Sequence, residues 1–81
     1  MPTVLKCQGY RFFFYSNEGN PIEPIHVHVT KGGAEAKVWL ESQVSIDRCD
    51  GFNSKELRSI IEIVEANKRA LMEAWREHFG N

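Results

Sequence analysis

The stretch IHVHVTKGGAEAKVWL, Ile25 to Leu40, constrains the fold more than any other part of the chain. Its first arm alternates strictly, with Ile25, Val27 and Val29 on one side and His26, His28 and Thr30 on the other, the period-2 pattern of a half-buried strand. Gly32-Gly33 follows as a two-residue hairpin turn, since only glycine reaches positive φ without steric cost. The second arm returns with Ala36, Val38 and Leu40 on one side and Glu35, Lys37, Trp39 and Glu41 on the other. A two-residue turn sets Lys31 opposite Ala34, and the rest of the register follows. Val27 faces Val38 in the core. On the other face His28 meets Lys37 and His26 meets Trp39. A slip of one residue would invert every side chain, so the pairing is sharply specified.

The flanks extend this hairpin. GYRFFFYS, Gly9 to Ser16, is aromatic enough for a strand and divides into Tyr10, Phe12, Phe14 and Arg11, Phe13, Tyr15. NEGNPIEP, Asn17 to Pro24, is dense in turn formers and is predicted as a loop. A short fourth strand is expected around QVSI. The last third is helical. Asn53 with Glu56 three residues on is a capping-box pattern, and Leu57, Ile60, Ile61, Val64, Leu71, Met72, Trp75 and Phe79 repeat with helical period. Gly80 ends the helix. Lys68, with Asn67 beside it, divides the apolar stripe in two. A single helix of about 26 residues would run roughly 39 Å, against about 23 Å for a seven-residue strand. It would overhang the sheet and leave Met72, Trp75 and Phe79 short of cover, a partner contact at the helix end. The fold class expected is α+β: a small antiparallel sheet of three to four strands against one long C-terminal helix, in a single domain spanning 1–81.

Composition excludes several classes of function. A net charge of −1 gives no global field toward nucleic acid or an anionic membrane. No apolar run reaches transmembrane length and the start does not look like a signal peptide, so no membrane role is expected. With Cys7 and Cys49 alone, a disulfide scaffold does not apply and a cytoplasmic setting is the default. KGGAEAK is a hairpin turn and not a phosphate loop, and Ser16, Ser42 and Ser45 sit in no nucleophile motif.

GYRFFFYSNEGNPIEPIHVHV, EAKVWLE, GFNSKEL and LMEAWREHFG together resemble the prokaryotic domain-of-unknown-function family numbered 4160 over nearly the whole chain. The family's usual form has two prolines directly before the first histidine; here Pro24 is followed by Ile25. The resemblance supplies no catalytic residues. It implies a protein partner encoded by a neighbouring gene, in an arrangement similar to a toxin–antitoxin pair.

Three functional readings follow. The leading one is a non-catalytic protein-interaction module, antitoxin-like or accessory. It would bind through an open sheet face of Arg11, Phe13, Tyr15, His26, His28, Lys37 and Trp39, or self-associate through the helix end. Tyr, Trp and Arg are the residues protein hot spots use. This reading needs no cofactor. The second is a small metal-dependent hydrolase or nuclease. His-x-His on a strand can chelate zinc or another divalent transition metal, with His26 and His28 as ligands and Glu18 as a third ligand or base. The third is single-stranded nucleic-acid binding by the aromatic and basic side chains of the same face.

Overall fold

The computed structural model describes residues 3–15 and 23–80. The described chain forms five strands and then two helices: β1 (Thr3–Cys7), β2 (Tyr10–Phe13), β3 (His26–Lys31), β4 (Ala34–Trp39), β5 (Ser45–Asp50), α1 (Ser54–Ala66) and α2 (Lys68–Phe79). The strands form one antiparallel sheet in the order β1-β2-β3-β4-β5. The class is α+β as expected, with a larger sheet and a divided helix.

The central hairpin has the expected register throughout. His26 pairs with Trp39, Val27 with Val38, His28 with Lys37 and Lys31 with Ala34. Gly32 and Gly33 both take positive φ, at 55° and 88°, which matches the right-handed twist of the strands they join. The strand missed by sequence reasoning is β1. A second tight turn, Gln8-Gly9 with φ of 55° and 85°, joins it to β2 so that Cys7 faces Tyr10. The signal was a glycine between two short half-apolar runs, masked by the unusual Gln in a left-handed position. The expected fourth strand lies further on than QVSI: Val44 is buried before the strand begins, and β5 covers SIDRCD.

On one face of the sheet Phe12, Phe14, Val27, Val29, Val38 and Leu40 pack with Ile60, Val64, Leu71 and Trp75 of the helices, each at most 2% exposed. Helix α1 starts with the expected capping box: Asn53 Oδ1 accepts from Glu56 N–H at 2.8 Å, and Asn53 N–H donates to Glu56 Oε1 at 2.9 Å. Gly80, left-handed at φ 77°, ends α2.

The single long helix is corrected. The break falls at Asn67, with φ −116° and ψ 16°, whose side-chain amide donates to Ile63 O at 2.8 Å. An asparagine that bonds its own backbone offers the chain an alternative to the helical ladder. The polar step in the apolar stripe is therefore a break. A straight helix of about 39 Å would also exceed the molecule's longest dimension, 33 Å. With the break, the expected overhang does not arise: Trp75 is fully buried, while Met72 and Phe79 are half-buried against the core. Among the described residues, the expected exposed aromatic patch at the helix end is thus not found.

Candidate functional site

The face of the sheet opposite the core carries most of the residues singled out by the sequence. Strand alternation puts Arg11 and Phe13 of β2, His26, His28 and Thr30 of β3, and Glu35, Lys37 and Trp39 of β4 on this side. Sidedness is as expected: both imidazoles lie on the side of the Trp39 indole. Openness is not. The face divides into a closed half and an open half.

The closed half is aromatic. The Phe13 ring stacks on His28 at 5.6 Å, and Tyr15 meets His28 edge-on at 4.5 Å and Phe13 at 5.2 Å. His26 lies edge-on to His28 at 5.2 Å and to Trp39 at 5.3 Å. Beyond it comes Trp75 of α2, 4.9 Å from His26. Trp75 also meets Phe14 at 5.5 Å and Phe79 at 4.3 Å. The rings thus run continuously from the outer face into the core around one end of the sheet. As a result His26 is 0%, His28 2% and Phe13 2% exposed. The open sheet face expected here is corrected at His26, whose ring rests on a tryptophan of α2. Trp75 lies on α2, beyond the break at Asn67.

Two polar side chains of this half are held by oxygen atoms. His26 Nδ1 lies 2.9 Å from Pro24 O, so the proline before the strand supplies the acceptor that orients the ring. Tyr15 donates its hydroxyl to Glu35 Oε2 at 2.9 Å, and His28 Nδ1 lies 3.7 Å from the same oxygen. Glu35 joins the aromatic half to the charged half.

The open half is a groove of about 660 Å³ lined by His28, Glu35, Lys37, Arg48, Cys49 and Asp50. Lys37 is its best-fixed charge. Its Nζ donates to Glu23 Oε1 at 3.1 Å, lies 3.8 Å from Asp47 Oδ2, and sits 4.4 Å from the centre of the Trp39 ring. Arg11 lies outside the groove with its guanidinium 5.3 Å from the Phe13 ring centre. Sequence reasoning missed Arg48 and Asp50. They reach the face because β5 pairs with β4, Arg48 beside Lys37 and Asp50 beside Glu35. A bulge interrupts the alternation of IDRCD, so no period-2 signal marked them.

The expected metal triad is only partly described. His26 and His28 come together, and Glu18 lies outside the described residues. Among the described residues no three His, Cys, Asp or Glu side chains are grouped as metal ligands. Donors, acceptors and charges of both signs surround the groove.

Comparison with curated proteins and with solved structures gives no match. A family model, described as a domain of unknown function (DUF4160), matches residues 9–76, which span β2 to the buried Trp75 and include both histidines and the groove. The chain belongs to the DUF4160 family.

Proposed function

We propose that the chain is a non-catalytic protein-interaction module, the antitoxin-like or accessory member of a two-gene pair. It recognises its partner through the groove on the outer face of the sheet. The observation that carries this reading is the mixture of charge in that groove: an acidic pair, Glu35 beside Asp50, lies next to a basic pair, Lys37 beside Arg48. A polyphosphate backbone selects a surface of one sign. A folded protein surface or peptide, itself of mixed sign, finds complementary partners here and is held in one register. The family's resemblance to toxin–antitoxin pairs supports a partner encoded nearby. Co-expression with the product of the adjacent reading frame should give a complex stable to size exclusion. Glu35→Lys should weaken it roughly tenfold in calorimetric titration. A partner that binds Glu35→Lys and the parent chain equally, or does not bind at all, overturns the reading.

A second reading rests on His26. A ring anchored through Nδ1 to a backbone carbonyl has the orientation of metal-ligating histidines, and with His28 it would serve a small metal-dependent hydrolase. Elemental analysis of untagged protein tests this. Substoichiometric zinc, with no thermal shift on adding Zn²⁺ or Mn²⁺, removes it. Single-stranded nucleic-acid binding remains a third role for the same face, and it requires affinity that falls steeply with salt.

A further inference from the structure

Strand β5 borders the sheet on one side, and among the described strands it pairs with β4 alone. Every residue of it except Ile46 is exposed. Such an edge presents backbone donors and acceptors to any strand that fits. The side-chain pattern of β5 specifies which strand does.

Ser45 pairs with Trp39, Arg48 with Lys37 and Asp50 with Glu35, so these three point to the outer face. Ile46 pairs with Val38 and Cys49 with Ala36, so these two point to the core face. A bulge leaves Asp47 as the extra residue, and its carboxylate lies 3.8 Å from Lys37 Nζ, which places it on the outer face too. The strand therefore reads outer, core, outer, outer, core, outer from either end. It is symmetric about the Asp47–Arg48 peptide bond.

An antiparallel neighbour of the same sequence, related by a two-fold axis at that bond, sets Ser45 opposite Asp50, Ile46 opposite Cys49 and Asp47 opposite Arg48. Every pair then has both members on the same face. The Asp47–Arg48 pairing occurs twice by symmetry and brings opposite charges together each time. Bulges usually keep edges from pairing. Here the neighbour carries the same bulge at the same height, so the two strands step together.

Strand β1 at the other edge has no such complementarity, since its one charge is Lys6 and it holds no acid. An alternative β5 register, with Arg48 opposite Asp50 and Cys49 opposite its own symmetry mate, matches charges but leaves Ile46 outside the paired stretch.

We propose that a second copy of this chain docks on β5 in the first register and continues the sheet across a two-fold axis. Both grooves then open on the same face. The partner's Asp47 and Arg48 extend the wall formed by Arg48, Cys49 and Asp50, so the groove is complete only in the pair. This contact is independent of the recognition of a second protein proposed above, and its test needs only the purified chain.

Light scattering and sedimentation over a concentration series should give a dimer. Asp47→Arg and Arg48→Asp, each of which sets like charges opposite one another twice, should weaken it roughly tenfold or more. The combined charge swap, Asp47→Arg with Arg48→Asp, should restore it, a recovery that general loss of folding would not produce. Ile46→Cys should crosslink to the partner's Cys49 under mild oxidation. A monomer at every concentration, no recovery in the double variant, or a native dimer joined mainly through Cys49 to its own symmetry mate would each overturn the proposal.

Discussion

The two halves of the outer sheet face share one backbone geometry and differ in what lies over them. Around His26 and His28 the face is covered by Phe13, Tyr15 and Trp75, and both imidazoles are almost fully buried. Around Arg48 and Asp50 the same face is open and charged. The difference teaches that strand alternation assigns a side chain to a face and says nothing of its exposure. Trp75 against His26, and Tyr15 against His28 and Phe13, turned half of a presumed binding surface into interior. The charged half is the part that stays open to solvent.

The largest effect should come from removing that tryptophan. Trp75→Ala should cost about 3–5 kcal/mol in denaturant unfolding and expose His26, read as a rise in its reactivity toward diethylpyrocarbonate. If His26 stays protected in a folded Trp75→Ala variant, the division of the face is wrong. A smaller effect, seen only at alkaline pH, belongs to the core side. Burial, then the nearby Glu56 carboxylate, raises the Tyr10 hydroxyl above its usual 10.0. The folded state thus favours the neutral phenol. That contribution is complete below pH 10.0 and is lost as pH rises through the higher folded value. The melting temperature of the parent chain should therefore fall relative to Tyr10→Phe above that pH, and parallel curves would count against it. At the boundary between the halves, Glu23→Gln removes the carboxylate 3.1 Å from Lys37. It should cost at most about 1 kcal/mol, with the difference shrinking in high salt. Least of all, Asp50→Asn in the open half should stay within about 0.5 kcal/mol of the parent. A larger loss would show that the charged half is also structural.

Much of the fold was legible because local rules agree with one another. The Gly-Gly turn and the alternation of IHVHV and AKVWL set the central register pair by pair. Asn53 and Glu56 marked the helix start to the residue. Legibility failed where a residue could satisfy two arrangements. Asn67 could lie on a helix or end one, and its bond to Ile63 O selected the end. VLKC was too short and too mixed to signal a strand until Gln8-Gly9 folded it onto β2. Of the candidate site, His26, His28, Lys37 and Trp39 stood on the expected face, while Arg48 and Asp50 were missed with the boundaries of β5.

Sequence alone determined the pairing and faces of the central hairpin, the start of α1 and the end of α2, because each depends on residues within a turn or a strand of one another. Only the tertiary structure decided which of those faces meets water. For His26 that choice depended on where α2 sets down one indole, and the contact joins residues 26 and 75, too far apart in the chain for any local pattern to announce.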